Sequence, residues 1–550
     1  MLPPGIGAAG RAHVIIRAQP LTKELGVTIP PTGQTANPPH EVEVGRAPLS
    51  LDDLISVARH GANVRLSADA RAQVEASRRL VEGHLGEDRA IYGLNTGFGA
   101  LADVRIAAED NAALQINLVR SHAAGVGDLL PAEVVRGMML VRAKTLAAGY
   151  SGVRPLVVER LVDLLNAGVC PAVPDRGSVG CSGDLAQLAH IALCLVGEGR
   201  ALRSGGGTEA STDALARAGV SPIALAEKEG LALINGTDGM LTVGALAHAD
   251  SLVALRSADI AAAMSVEASN GTDRPFAAEI QALRPHPGQA ASAANLRRLL
   301  DASSIVASHR DSEHAVQDAY SFRCAPQVHG AARDVHAFAG EVLERELQSV
   351  IDNPVVLPDG RVESNGNFHG EPLAYAADAL AIGISGAANI SERRTLWLLG
   401  PAAAQRGLPA FLAVSPGLQS GYMLAQYTQA ALVSECKVLG TPASLDSIPT
   451  SNNQEDHNSM GWLSAMKLRR VVELVTTVVA IEALCAAQAL DLRRPAEPAP
   501  ATAAARAAMR EAVPFLDADR EIAADIAAAT DLVRRGGLAG AVEQLIGPLA

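Results

Sequence analysis

Apolar residues recur at intervals of three and four along much of the second half of the chain, which is the spacing of one face of an α-helix. Several of these stretches are hydrophobic on more than one side, as is typical of helices buried in a bundle or at a subunit contact. The pattern predicts five long helices: Leu241–Ser269, Gln327–Leu347, Glu371–Leu399, Ser420–Leu439 and Trp462–Leu490. We therefore expect a mainly α-helical fold organised around a central bundle of long helices.

The first half of the chain alternates shorter helical patterns with loops rich in glycine. Ser50, followed by Asp52 and Asp53, has the pattern of a helix N-cap with acidic residues in the first turn. Residues 1–45 are rich in Pro, Gly and Thr, which predicts a disordered or loosely held extension. The other predicted regions are a smaller N-terminal domain (46–240), the central bundle (241–494), and a Pro/Ala hinge with a helical cap (495–550).

Bulk composition excludes several classes of protein. The 550-residue chain has a formal net charge of −13, which argues against nucleic-acid binding as its main task. Its six cysteines are scattered without CxxC spacing, which gives no zinc signature and favours the reducing cytoplasm. The N-terminus lacks the pattern of a signal peptide. Because Glu473 and Glu482 interrupt the most apolar run, Val471–Leu490, we expect no apolar run of membrane length.

The most unusual stretch is the glycine- and serine-rich loop Gly177–Asp184, GSVGCSGD, which precedes an apolar helical run. One interpretation is a turn into a helix N-terminus, with Asp184 as the cap or as a first-turn charge. A second is a phosphate cradle, although no Gly-Lys-Ser/Thr follows the loop. Both of these interpretations give the loop no covalent chemistry.

A third interpretation is a chemical reaction within Cys181-Ser182-Gly183. The nitrogen of Gly183 would attack the carbonyl carbon of Cys181, where glycine offers the least steric obstruction. Loss of water and dehydration of Ser182 would then leave a methylidene-imidazolone ring. Such a ring is a strong electrophile, which no ordinary side chain provides.

The segment Gly177–His190, GSVGCSGDLAQLAH, resembles the signature of the aromatic amino-acid ammonia-lyases, which form this prosthetic group autocatalytically. The resemblance covers roughly Ser50 to Val542, with five motifs in matching order and spacing. Two positions depart from the family pattern, since Cys181 replaces the usual alanine and Gln187 replaces proline. The resemblance implies an ammonia-lyase/fumarase-like fold, whose N-terminal domain carries the prosthetic-group loop. It further implies a homotetramer with shared active sites, and no required metal or diffusible cofactor.

The resemblance also assigns a base and an oxyanion partner. Tyr92, in the loop IYGLNTGFG, matches the tyrosine that removes the β-proton of the substrate. The ordinary pKa of tyrosine, about 10, is too high for this role unless a positive dipole or cation lowers it. Asn235, in an Asn-Gly turn, matches the residue that bonds the carbonyl oxygen of the ring. From the sequence alone, Tyr92 could equally pack its ring beneath the loop.

Polar interruptions between the predicted long helices supply the remaining matches. Arg323 matches a clamp on the substrate carboxylate, which suits the fork geometry of guanidinium, although a helix-packing ion pair is the alternative. Gln317 and Tyr320 match residues beside the prosthetic group, and Phe368 matches one that packs near the ring.

Two positions indicate the substrate. Ser121-His122 is the pattern of the histidine-specific members of the family, and His122 can exchange hydrogen bonds with an imidazole. Glu455, counted among the catalytic residues, also accompanies histidine specificity, although by itself it could cap the next helix. These matches favour elimination of ammonia from L-histidine to give trans-urocanate.

Three rival functions use overlapping features. A tyrosine or phenylalanine ammonia-lyase would use the same machinery, but His122 and Glu455 argue against it. An aromatic 2,3-aminomutase differs only in returning ammonia to the β-carbon, and the sequence separates it weakly. From another class, a catalytically inactive helical scaffold would not need the complete set of Tyr92, Ser182, Asn235, Tyr320 and Arg323. The expected partners are a small amino acid and other copies of the chain, with no nucleic acid and no membrane.

Overall fold

The computed structural model describes residues 41–45, 48–85, 90–311 and 316–550. Its α-helices within these ranges are α1 (Leu51–His60), α2 (Ala68–His84), α3 (Asn111–His122), α4 (Ala132–Ala147), α5 (Pro155–Asn166), α6 (Leu185–Leu195), α7 (Ser211–Ala218), α8 (Glu229–Ile234), α9 (Asp238–Ala268), α10 (Ala278–Ala282), α11 (Pro287–Leu299), α12 (Ser304–Ser308), α13 (Tyr320–Arg323), α14 (Ala325–Gln348), α15 (Glu371–Leu399), α16 (Pro401–Gln405), α17 (Met423–Leu439), α18 (Gly461–Leu492), α19 (Pro500–Ala512), α20 (Ile522–Arg534) and α21 (Gly537–Ile546). The mainly α-helical class predicted from the sequence is confirmed.

Short strands accompany these helices as four two-stranded pairs in the described ranges. They are β1 (Val42–Val44), β2 (Val64–Leu66), β3 (Val126–Leu129), β4 (Pro174–Arg176), β5 (Arg200–Leu202), β6 (Thr208–Ala210), β7 (Val355–Val356) and β8 (Val362–Glu363). The β1–β2 pair is parallel, with Val42 opposite Val64, and the other three pairs are antiparallel.

The centre of the fold is a bundle in which α9, α15 and α18 run in the same direction. Their first turns meet, because a β-carbon at Gly461 would lie 2.8 Å from the sulfur of Met240 and 3.3 Å from the carbonyl oxygen of Gly370. Near their other ends, Arg394 of α15 pairs with Glu482 of α18 through Nη2–Oε2 at 2.8 Å. This arrangement brings three helix N-termini to one end of the bundle.

Two further helices, α14 and α17, run antiparallel to these three. The last turn of α14 reaches the start of α9, where Thr237 donates to Glu346 at 2.5 Å. In α17, Gln429 donates to the carbonyl oxygen of Val478 at 2.7 Å, and Glu435 pairs with Arg470 at 3.0 Å. All five long helices predicted from the apolar pattern are present, and α15 has the predicted bounds.

Residues 42–44, which the sequence analysis assigns to the N-terminal extension, belong to the packed core. Val42 and Val44 are buried and belong to β1, so the boundary at residue 45 falls just after a core strand. Residues 1–40 lie outside the described residues, and the extension predicted there stays a prediction. At the other end of the chain, α19, α20 and α21 form the predicted terminal helices after the Pro/Ala segment.

Two bundle helices are long and apolar enough to cross a membrane by length and composition alone, Glu371–Leu399 and Gly461–Leu492. The expectation that no run reaches membrane length was therefore wrong. In the apolar windows of these helices, 67% and 89% of the residues are buried inside the protein. Core helices of a bundle have this property, because their apolar surface is covered by neighbouring helices.

Candidate active site

The glycine-rich loop is fixed by backbone hydrogen bonds to the turn before α9. Gly236 donates its N–H to the carbonyl oxygen of Ser182 at 3.1 Å, and Asp184 donates to the carbonyl oxygen of Gly236 at 2.7 Å. Gly183, between them, has a φ of +76°, and a β-carbon there would lie 1.9 Å from the carbonyl oxygen of Gly236. Only glycine fits this position.

The side chain of Asp184 lies beneath the loop and is fully buried. One carboxylate oxygen accepts from Ser178 Oγ at 2.9 Å, and the other accepts from the backbone N–H of Met240 at 2.8 Å. Burial raises the pKa of Asp184 to about 7. Asp184 therefore caps the first turn of α9, and not its own helix α6, for which no side-chain cap is found in the described residues.

The opposite side of the loop is bonded to the start of α18. Met460 donates its N–H to the carbonyl oxygen of Val179 at 2.9 Å, and Ser459 Oγ donates to that of Gly180 at 3.1 Å. The loop thus lies at the shared N-terminal end of α9, α15 and α18. Helix N-termini carry partial positive charge and stabilise negative charge that develops nearby.

Asn235 is buried and bonded on both sides. Its Nδ2 donates to the carbonyl oxygen of Asn353 at 3.0 Å and to Oδ1 of Asp352 at 3.3 Å. The other oxygen of Asp352 pairs with Lys228 Nζ at 2.8 Å, and both of these side chains are fully buried. This buried ion pair therefore orients Asn235, although no local pattern in the sequence marked Lys228 or Asp352.

Arg142 supports the same turn from α4. Its Nη1 donates to the carbonyl oxygens of Asn235 and Ala232 at 2.9 and 3.0 Å, and its Nη2 pairs with Asp238. Both members of this pair are fully buried. Neither residue is recognisable from the sequence, because buried pairs between distant segments leave no periodic signal.

The predicted base, Tyr92, is half-buried in a turn after α2. Its ring packs edge-on against Phe98 with centroids 6.1 Å apart, and its hydroxyl oxygen accepts from the N–H of Gly99 at 3.3 Å. Burial raises the pKa of Tyr92, the carboxylate of Glu455 raises it further, and the bond from Gly99 opposes this change. Among the residues that the structure describes in one chain, no cation lowers the pKa of Tyr92.

Glu455 lies close to three of the predicted site residues. Its carboxylate accepts from Thr450 Oγ1 at 2.6 Å, and it acts on the thiol of Cys181. Burial and then Glu455 raise the pKa of Cys181 to about 12. The same carboxylate acts electrostatically on Tyr92 and His122. We call these residues the glycine-loop cluster, which comprises Tyr92, His122, Cys181, Ser182, Gly183, Asn235 and Glu455.

His122 ends α3 with its ring held by the helix. Its Nδ1 lies 2.9 Å from the carbonyl oxygen of Leu118 and 3.1 Å from Ser121 Oγ. We assign the proton to Nδ1, because the carbonyl can only accept and Ser121 Oγ already donates to that carbonyl at 3.0 Å. Burial lowers the pKa of His122. The neutral ring therefore keeps an unprotonated Nε2 that can accept a hydrogen bond from a ligand.

Phe368 is half-buried in the segment that leads into α15. The next residue, His369, bonds through Nε2 to the carbonyl oxygen of His457 at 3.1 Å. This contact connects the Phe368 segment to the loop that contains Glu455.

The three remaining predicted residues form a separate group, which we call the arginine turn: Gln317, Tyr320 and Arg323. Tyr320 is 72% exposed, and the guanidinium of Arg323 lies 4.6 Å from the centre of its ring. The carbonyl oxygen of Ser321 accepts from Arg394 Nη1 at 3.1 Å, so the turn lies beside the Arg394–Glu482 pair.

The arginine turn and the glycine-loop cluster are far apart within one chain. The cluster adjoins Gly461 at the start of α18, whereas Arg394 ties the turn to Glu482, 21 residues further along that helix. At a rise of about 1.5 Å per residue, this separation is roughly 30 Å. One chain therefore brings together seven of the eleven predicted site residues and leaves the arginine turn outside the cluster, with Phe368 on the adjoining segment.

Comparison with known proteins agrees with this arrangement of motifs. The family model described as aromatic amino acid lyase matches residues 49–511. This chain belongs to the aromatic amino acid lyase family. A histidine ammonia-lyase of Streptomyces avermitilis is 52% identical over 512 residues, which cover 93% of this chain and all of that protein.

Solved structures of the aromatic amino acid lyase family share the fold over almost the whole chain. A histidine ammonia-lyase from Trypanosoma cruzi is 41% identical with a TM-score of 0.84, covering 92% of this chain and 95% of that one. A tyrosine aminomutase from Streptomyces globisporus is 38% identical with a TM-score of 0.88, covering 92% and 99%. The resemblance inferred from the motifs is confirmed.

Proposed function

We propose that this chain is a histidine ammonia-lyase, a carbon–nitrogen lyase that converts L-histidine to trans-urocanate and ammonia, the first step of histidine degradation. The observation that carries the proposal is the convergence of His122 and Glu455 beside Cys181-Ser182-Gly183. The 52% identity to a histidine ammonia-lyase over 93% of the chain supports the same substrate.

The loop geometry supports formation of 4-methylidene-imidazol-5-one from Cys181, Ser182 and Gly183. Backbone bonds on either side of Gly183 hold the tripeptide in a compressed turn, and the missing β-carbon leaves its nitrogen unobstructed. When present, the ring supplies an electrophile that captures the substrate amine and makes ammonia a better leaving group. The nearby helix N-termini stabilise negative charge there.

Tyr92 is the proposed base for the β-proton. The N–H of Gly99 already supports the phenolate form, whereas burial and Glu455 oppose it. Positive charge from outside the chain must therefore lower the pKa of Tyr92 in the working site. Arg323 of a neighbouring subunit is the proposed source, because within its own chain it lies roughly 30 Å away by the helical rise of α18.

The imidazole of the substrate is proposed to lie between His122 and Glu455. The unprotonated Nε2 of His122 accepts a hydrogen bond, and the carboxylate of Glu455 accepts another or attracts an imidazolium. A phenyl ring satisfies neither group. An unsatisfied buried polar group costs about 1–3 kcal/mol, so this pair discriminates against phenylalanine.

In this proposal, the site can bind the substrate carboxylate only when several subunits assemble. We propose a cytoplasmic homotetramer in which Arg323 clamps the carboxylate, and Gln317, Tyr320 and Phe368 line the pocket. Exposed apolar residues on two bundle helices support subunit contacts, since they leave large hydrophobic surfaces uncovered in a single chain. These are Tyr375, Ile382 and Leu396 of α15, and Leu424, Tyr427 and Val438 of α17.

The test is incubation of the purified chain with histidine, tyrosine and phenylalanine, followed by ultraviolet absorbance of the conjugated acid product. Urocanate from histidine, with far slower reaction of the other two, is expected. Preference for tyrosine or phenylalanine would contradict the substrate assignment.

The alternative is an aromatic 2,3-aminomutase, favoured by the structural likeness to a tyrosine aminomutase at 38% identity. Chromatography of the same reactions separates the two activities. A β-amino acid product would favour the mutase, whereas urocanate and free ammonia in equal amounts favour the lyase.

A further inference from the structure

We propose that His369, Glu371 and His457 form a binding site for a divalent transition-metal ion such as Zn²⁺. Each residue offers one ligand atom, and the three atoms lie within 4.8 Å of one another. Two of the residues flank the start of α15, and the third lies in the loop before α18. The glycine-loop cluster does not use any of them.

The carboxylate of Glu371 lies near both imidazoles, whose rings are nearly parallel with centroids 5.8 Å apart. Its Oε2 is 3.9 Å from His369 Nδ1 and 3.9 Å from His457 Nε2, and both distances are too long for hydrogen bonds. This oxygen is buried and has no hydrogen-bond partner in the part of the chain that the structure describes. A buried carboxylate oxygen without a partner is costly, and a cation between the three residues removes that cost.

The separations suit a single ion. Nitrogen and oxygen ligands bind Zn²⁺ at about 2.0–2.2 Å, so two ligands in a tetrahedral site lie about 3.4 Å apart. The two 3.9 Å pairs must close by about 0.5 Å, and the two imidazole nitrogens, which lie within 4.8 Å of each other, by up to about 1.4 Å. His457 can make this movement, because its side chain is 69% exposed.

The tautomer of His369 is already that of a metal ligand. Its Nε2 lies 3.1 Å from the carbonyl oxygen of His457, which can only accept, so Nε2 carries the proton. The lone pair of Nδ1 therefore points away from that bond and is available to the ion. A ligating histidine usually donates its other N–H to a carbonyl or carboxylate in this way.

The donor set selects the class of metal. Two imidazole nitrogens and one carboxylate oxygen suit Zn²⁺, Co²⁺ or Ni²⁺, whereas Mg²⁺ and Ca²⁺ prefer all-oxygen sites. Three protein ligands leave one position for water. The ion would connect the segment of Phe368 to the loop of Glu455, and so fix the distance between two predicted walls of the substrate pocket.

The test is zinc binding to the full chain after treatment with a chelator and dialysis. Calorimetric titration and elemental analysis should give one Zn²⁺ per chain, together with a rise in the thermal unfolding midpoint. His457→Gln should weaken binding at least 10-fold and abolish the rise. His286→Gln, at an exposed histidine before α11, is the matched control and should bind as the unaltered chain does.

Cobalt distinguishes this site from binding at the thiol of Cys181. Co²⁺ bound by His369, Glu371 and His457 should give visible ligand-field bands without sulfur-to-metal charge transfer. Unchanged zinc affinity in both His457→Gln and Glu371→Gln, or a thiolate band with Co²⁺, would overturn the proposal. Metal binding is measured directly, so the result does not depend on the substrate of the enzyme.

Discussion

Glu455 affects several neighbouring groups because it is an anion in a half-buried cluster. It raises the pKa of Tyr92 and of Cys181, and it partly offsets the effect of burial on His122. Because the Glu455 carboxylate raises the pKa of the proposed base, its presence here indicates that it binds another group, such as part of the substrate. Recognition of a protonatable imidazole is the use that fits its position beside His122.

Exchanging the two substrate-facing groups tests this role. In His122→Phe with Glu455→Gln, kcat/KM for histidine should fall at least ~10²-fold, because two polar partners of the imidazole are lost. Activity toward phenylalanine or tyrosine should rise as the unsatisfied groups disappear. The measurement is kcat/KM for each amino acid in both proteins. A double variant that keeps the original preference would show that other residues set specificity.

Ser182 is the residue on which the proposed prosthetic group depends. Intact-mass measurement of the active chain should give a mass lower than the sequence mass by two water molecules. Ser182→Ala lacks the hydroxyl that must be eliminated. It should keep the unfolding midpoint but lose nearly all activity, and its mass should no longer be lower by two water molecules. Ser204→Ala, in an exposed turn, is the control and should keep both the activity and the lowered mass. Full activity at the unmodified mass would rule out the ring.

At the scale of elements, the two ends of the parallel helices hold different groups of predicted site residues. The N-termini of α9, α15 and α18 hold the glycine-rich loop, and the region around Glu482 holds the arginine turn through Arg394 and the carbonyl oxygen of Ser321. The bundle therefore positions both predicted groups of site residues, but at opposite places along its length.

Loss of the buried pair should affect stability and the arginine turn together. Glu482→Gln leaves the fully buried guanidinium of Arg394 without its counter-charge, which should cost about 3–5 kcal/mol of unfolding free energy. Because Arg394 also bonds the turn of Arg323, kcat/KM should fall as well. Denaturant unfolding and initial rates are the measurements. Glu341→Gln, in the exposed pair with Arg345, is the matched control and should change stability by less than about 0.5 kcal/mol.

At the scale of the whole molecule, the separation of the two groups means that the proposed site needs more than one chain. If sites combine Ser182 of one subunit with Arg323 of another, two inactive variants should complement each other in mixed assemblies. Co-expressed Ser182→Ala and Arg323→Ala should regain roughly a quarter of normal activity, since random assembly leaves about one site in four intact.

The control for this complementation mixes two variants within the glycine-loop cluster. Tyr92→Phe and Ser182→Ala alter residues that lie together in one chain, so every site remains defective and no activity should return. Equal recovery in both mixtures, or recovery in neither, would contradict the shared-site arrangement.

The sequence alone predicted those features that depend on local patterns. The predicted bounds of α15 are correct at both ends. Apolar residues repeat every three and four positions within the helix, Gly370 precedes it, and Gly400-Pro401 ends it. The glycine-rich loop was recognisable because its chemistry lies within three consecutive residues. Membership of the family followed from the order of such local motifs.

Only the tertiary structure decided which distant groups meet. Lys228 and Asp352 are 124 residues apart and Arg142 and Asp238 are 96 apart, yet each pair is fully buried and fixes the turn of Asn235. Hydrophobic periodicity reports whether a residue faces a core, but not which charge it meets there. For the same reason, the pattern could not show that Asp184 caps α9, or that Arg323 lies roughly 30 Å from the loop by the rise along α18, because these relations are set by how helices pack.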